Sequence, residues 1–397
     1  MGTRVFITGT GIFSSIGRGV DETLASMVNG KTGIAPIRIL ETVHRDFPVA
    51  EIPFTDAELL ALTGLSKDLP LTRTTLIAYI ALKEALASAG IQQTGDERTG
   101  FISATTVGGM DKKETFYPEA ATSQEWLKYI DTQDVAAHTE ALADLFGFRG
   151  FITTASTACS SGANALMLGA RMIKQGLLDR VVAGGNECLT RFHLNGFNSL
   201  MILDKEPCKP FDQHRAGITL GEGAGYLVLE SEEMVRKEGK KVLCELTGYG
   251  NSCEAFHPTA SSPDGVGAYL AMQEALKIAG LQPADIDYIN AHGTGTDSND
   301  ISEGMAIQRL FGEHVPPVSS TKPFTGHTTS AAGSIEAILC TLALQEGLLF
   351  PNLNWKTQMT DLNFAPVTKL TKQALKHVMS NSFGFGGNNT SIILSKY

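Results

Sequence analysis

The chain reads as one pattern written twice. Ile7-Thr8-Gly9-Thr10-Gly11 follows an apolar segment, and so does its counterpart Leu246-Thr247-Gly248-Tyr249-Gly250. Cys159-Ser160-Ser161-Gly162 is matched by Ser330-Ala331-Ala332-Gly333, and the helices expected after both run out into Gly-Leu-Leu, at 176–178 and 347–349. That second match keeps its register for a whole helix, which chance seldom gives. Within each copy strand-like and helix-like segments alternate, which argues for βαβ units, mainly parallel sheets and the α/β class. Gly9 and Gly248 lie 239 residues apart, Gly162 and Gly333 only 171, so the first copy is longer by 68 residues between these landmarks. The excess is expected in Arg38 to Leu71 and Met110 to Gly150, both polar and less regular. The copies divide the chain at 1–240 and 241–397.

The run Thr157-Ala158-Cys159-Ser160-Ser161-Gly162 sets one cysteine where a helix begins, since Ala163, Leu166, Met167, Ala170 and Ile173 follow at helical spacing. A thiol there faces unpaired backbone N–H groups and the positive end of the helix dipole, which favour the nucleophilic thiolate. A lone cysteine is otherwise a small buried core residue. Two further segments tip the balance toward chemistry. Asp287 to Thr296 reads as a short strand ending in His292 and a Gly-Thr-Gly-Thr loop, and Ser319 to His327 brings a second imidazole into a glycine-bearing loop. Loops at strand ends are where catalytic groups tend to sit.

These motifs, together with Val182-Ala183-Gly184-Gly185-Asn186-Glu187, Pro210-Phe211-Asp212, Gly221-Glu222-Gly223-Ala224-Gly225 and the terminal Asn381 to Asn389, resemble the β-ketoacyl-acyl-carrier-protein synthases of the elongating Cys-His-His type. The resemblance runs over nearly the whole chain. It implies a thiolase-like fold of two βαβ halves in five layers, α-β-α-β-α, with the active site where the halves meet. It also implies a decarboxylative Claisen condensation in fatty acid or polyketide elongation. In that reading Cys159 carries the acyl group, while His292 and His327 serve malonyl decarboxylation. Lys322 and Glu336 form a buried charged pair near His327, and the N–H groups of Cys159 and Phe385 form an oxyanion hole. Thr294, Thr296 and Thr259 hold the pantetheine arm; Val107, Phe197 and Phe383 line the acyl pocket. No cofactor is implied, because both substrates ride on the phosphopantetheine of acyl carrier protein. A homodimer, or a heterodimer with a related subunit, is the expected assembly. Asn388, Ser156 and Thr328-Thr329-Ser330 depart from the family's usual residues.

Other classes fit less well. A non-catalytic chain-length-factor subunit would lack the nucleophile, a thiolase would carry a second cysteine in the C-terminal loop, and an initiating synthase would have Asn in place of His327. The net charge of −10 argues against nucleic acid, and it means that an acidic carrier protein needs a local basic patch, for which Lys67, Arg73, Lys205 and Lys209 are candidates. Six cysteines without CxxC or metal spacing imply neither a disulfide framework nor a metal site. Apolar runs are too short for a membrane span, and the start of the chain lacks a basic signal segment, so a cytoplasmic protein is expected. Gly9-x-Gly11, Gly221 to Gly225 and Gly384 to Gly387 each lack the strand-loop-helix context of a phosphate cradle.

Overall fold

A computed structural model describes residues 3–119, 122 and 124–397. Ten strands carry the architecture. In the first half they are β1 (Val5–Ser14), β2 (Thr99–Ala104), β3 (Ile152–Ala155), β4 (Arg180–Glu187) and β5 (Gly223–Ser231). The second half supplies β6 (Cys244–Cys253), β7 (Tyr288–Asn290), β8 (Val318–Ser319), β9 (His377–Gly384) and β10 (Asn388–Ser395). Six helices pack on them: α1 (Arg73–Ser88), α2 (Ser161–Lys174), α3 (Arg191–Ser199), α4 (Val266–Ala279), α5 (Asp297–Phe311) and α6 (Ala332–Glu346).

Outward from the centre the first half orders its strands β1-β5-β4-β2-β3, and the second β6-β10-β9-β7-β8. Both halves therefore have the same topology. The half-sheets join where β1 meets β6, with Phe6 opposite Glu245 and Ile7 opposite Cys244. In each half the two inner pairings are antiparallel and the two outer ones parallel. The sheets are thus mixed, not mainly parallel as the alternation suggested. The short 385–387 turn between β9 and β10 leaves no room for the crossover that a parallel pair needs.

The repeated glycines explain how helices lie on these strands. A Cβ at Gly11 would stand 2.1 Å from the carbonyl oxygen of Ala81, and one at Gly250 2.1 Å from that of Ala271. Each strand glycine admits the alanine face of its own outer helix, α1 or α4, to near backbone contact. The second glycine pair works at the centre: a Cβ at Gly162 would meet Ser330 O at 2.8 Å, and one at Gly333 would meet Ala163 N at 2.7 Å. There α2 and α6 touch start to start. Both pack against strands of the two halves, giving the layers α1, first sheet, α2 with α6, second sheet, α4 with α5. Every residue from Ala332 to Leu344 is buried, as a helix sandwiched on all sides requires.

The two stretches that hold the first half's extra residues are more ordered than their composition suggests. Helix Asp56–Thr63 is started by a capping box of Thr55 and Glu58, and helices Met110–Phe116, Gln124–Leu127 and Ala137–Phe146 occupy most of the second. Residues 120, 121 and 123 of that stretch lie outside the described residues. Among the described residues no helix is long and apolar enough to cross a membrane.

Candidate active site

Cys159 sits in the turn between β3 and α2, one residue before Ser160, the N-cap, rather than inside the first turn as the sequence implied. Ala158 holds φ at +53°, a conformation unusual for a residue with a side chain. Ser161 steadies it, its Oγ bonding Ala158 O at 2.5 Å and accepting from Thr157 N at 2.8 Å. The turn therefore projects Cys159 toward the second half.

His292 follows β7 directly. Its N–H and that of Gly293 donate to the Glu303 carboxylate at 2.9 and 2.8 Å, and Asn381 Nδ2 donates to the same group at 3.1 Å. Asp300, one turn earlier on α5, accepts from the N–H groups of Thr294 and Gly295. Two carboxylates at i and i+3 thus grip the whole 292–295 loop. The sequence reading missed both; their spacing just after the Gly-Thr-Gly-Thr loop was the available signal. Burial pushes the Glu303 carboxyl up to about 7.

His327 is held by backbone bonds on both sides, its N–H to Thr219 O at 2.7 Å and its carbonyl to Gly221 N at 3.0 Å. Its ring meets that of His292 edge-on, with centroids 5.2 Å apart. Lys322 Nζ lies 2.6 Å from Glu336 Oε1 and 3.4 Å from His292 Nδ1. Lys322 and Glu336 are 1% and 2% exposed, so the ammonium is shielded from bulk solvent and Glu336 is its carboxylate partner. The lysine lies against His292, where the resemblance placed it beside His327.

Burial, then the adjacent Lys322 cation, holds both imidazoles well below the usual histidine pKa, so they are neutral near pH 7. Glu336 is raised to about 7 by burial, against the pull of Lys322. Cys159 corrects an expectation: burial pushes its thiol up to about 12, although Lys322 and the Phe385 N–H draw it down. Desolvation thus outweighs Lys322 and the Phe385 N–H and favours the thiol at this sulfur.

Cys159, His292 and His327 line one cleft with Phe197, Thr259, Thr294, Thr296, Phe383 and Phe385. Thr294 and Thr296 hydroxyls bond each other at 2.8 Å. Phe383 lies 5.7 Å from the His292 ring, and Phe385 stacks on Phe197 at 5.7 Å. Gly384 lets the Phe385 turn reach the nucleophile, because a Cβ there would stand 2.8 Å from Thr157 O. Asn388 Oδ1 gathers Ser160 Oγ, Asn164 Nδ2 and Asn251 Nδ2 at 2.8 to 2.9 Å, tying that turn to the start of α2. Val107 is not part of the cleft lining; its N–H points at Glu187 at 3.4 Å. Among the proposed docking residues, Arg73 is buried against Glu222 at 2.6 Å and cannot meet a partner. Lys67 is exposed, while Lys205 and Lys209 pair with Asp46 and Glu206.

Residues 2–234 match the beta-ketoacyl synthase N-terminal domain and residues 243–356 the beta-ketoacyl synthase C-terminal domain. The chain belongs to the β-ketoacyl synthase family. It is 35% identical to 3-oxoacyl-[acyl-carrier-protein] synthase 2 of Rhizobium meliloti (strain 1021), with 99% of each chain covered. Among solved structures it is similar to the ishigamide ketosynthase/chain length factor, at a TM-score of 0.93 and 31% identity with both chains fully covered. It is also similar to the AntDE:AntF complex, a type II PKS acyl-carrier protein with its ketosynthase bound to the hexaketide, at a TM-score of 0.89 and 25% identity, again over both whole chains. The α/β, thiolase-like architecture is that of the family.

Proposed function

We propose that this β-ketoacyl synthase extends acyl chains held on acyl carrier protein by decarboxylative Claisen condensation. The observation that carries the reading is the meeting of Cys159 with His292 and His327 in one cleft, although they come from opposite halves of the chain. The acyl thioester enters along Thr259, Thr294 and Thr296, whose hydroxyls suit the amides of a pantetheine arm. Sulfur of Cys159 attacks the acyl carbonyl, its proton passing to a neutral imidazole. The oxyanion is held by the N–H groups of Cys159 and Phe385, and pantetheine thiol leaves. Malonyl thioester then loses carbon dioxide, and charge gathering on its thioester oxygen is met by N–H donors of His292 and His327. The enolate carbon attacks the acyl-Cys159 carbonyl, a carbon–carbon bond forms and the cysteine sulfur departs. Burial, with Lys322 behind it, keeps His292 neutral, so that the ring donates to the enolate without first losing a charge, and Glu336 balances the lysine. Every step runs on side chains and backbone N–H groups, with the substrates on carrier protein.

A second subunit fits the open edge of β3, the last strand of the sheet, where Phe151 and Ile152 are 38% and 37% exposed. An unpaired apolar edge is a template for strand addition, so we assign it to a second copy or a related chain. The chain-length-factor role does not suit a chain that retains Cys159. Intact mass measured after incubation with a panel of acyl-carrier proteins tests the whole reading. One acyl group appears on the protein and none on Cys159→Ala, which keeps its fold; acylation of that variant would end it.

A further inference from the structure

Helix α3 sends Phe197 into the cleft, and the residue one turn earlier on the same face is His193. His193 is 5% exposed, and its ring centroid lies 6.4 Å from that of Phe197. It stands near enough to His327 for a charge on one to oppose a charge on the other. It therefore stands directly behind Phe197 and His327, which line the cleft, without lining it itself. Nδ1 meets Thr190 Oγ1 at 2.9 Å, yet the enclosed Nε2 has no partner.

The Cys188 carbonyl also lies beside the ring, and it leaves Nε2 unpaired. The neighbouring Glu187 carboxylate already accepts from Thr105 Oγ1, the N–H and hydroxyl of Thr106, the N–H of Val107, Thr329 Oγ1 and Ser330 Oγ. A buried polar atom left unpaired is costly, so the site is set up for a partner the chain does not contain.

We propose that His193 is the specificity residue at the inner end of the acyl pocket, hydrogen-bonding a hydroxyl group borne by the acyl chain. The inference rests on Cys159 being the acylated residue. Burial keeps the His193 ring neutral, so Nε2 is a donor in one tautomer and an acceptor in the other. A hydroxyl satisfies both, whereas an ether or ketone oxygen satisfies one and a saturated chain neither. A site built around such a bond rejects the analogue that lacks it far more sharply than it senses a methylene.

The test uses the full chain and carrier-bound acyl thioesters in matched pairs, each pair differing by one hydroxyl stepped along the chain, with acetyl as reference. Loading on Cys159 is followed by intact mass. At one hydroxyl position the hydroxyacyl group loads at least about tenfold faster than its deoxy partner. His193→Leu brings that ratio to one or below, and His193→Gln, which still offers an amide, keeps a preference. Equal loading of every pair by the unaltered protein, or a ratio unchanged by His193→Leu, overturns the proposal. Failure of every acyl group, acetyl included, to appear on Cys159 would instead overturn the assignment of the nucleophile, and the inference with it.

Discussion

Cys159 reaches its task as a thiol, because desolvation outweighs the pull of Lys322 and the Phe385 N–H. Well below a raised pKa the thiolate fraction grows about tenfold per pH unit. Alkylation of Cys159 by iodoacetamide therefore accelerates steadily from pH 7 to pH 10. A plateau near pH 7 would mean a preformed thiolate. In the proposed mechanism the histidines separate the two half-reactions. His327→Ala lowers malonyl decarboxylation by about 10²–10³, the cost of one well-placed donor, and slows acyl loading by less than tenfold; stopped-flow loading and carbon dioxide release check the two. The cysteine, both histidines and Lys322 were legible as residues because each stands in a short motif of unusual composition, whereas Glu336, alone on an apolar helix, came only from the resemblance. Asp300, Glu303 and His193 were not legible. Their work depends on which helix face they occupy and on what closes over it, and single polar residues on ordinary helices carry no mark of that.

Among the elements, the paired glycines were visible in the sequence but not their purpose. The strand glycines are sites of backbone contact with α1 and α4, so adding a side chain pushes a helix off its sheet. Gly11→Val destabilises the protein by about 1–3 kcal/mol or more through overpacking, seen as a lower thermal midpoint. Gly196→Ala, on α3 with no atom near its Cβ position, leaves that midpoint unchanged or higher. Helix α6 announced itself as a central layer through its unbroken apolar run. Strand direction was harder to read, since alternation of helix and strand says that crossovers exist but not which neighbours they join. The pocket suffered similarly: Val107 follows β2 toward the cleft, yet its loop is drawn back by Glu187.

At the scale of the molecule, the open edge of β3 leads straight into the turn that bears Cys159. Covering that edge with another subunit fixes the turn, so assembly and activity are expected to fall together. Ile152→Lys, a charge on the edge strand, yields a monomer by native mass spectrometry with condensation reduced at least about tenfold; a monomer of full activity would separate the two. The duplicated order of strands has a last consequence. It sets two equivalent corners back to back, and the chain uses them unequally. One corner presents sulfur to the cleft. At the other, the hydroxyl of Ser330 is fastened to Asn186 O and Glu187, so the counterpart of the nucleophile's seat is an anchor, and one repeated corner offers a thiol while the other holds still.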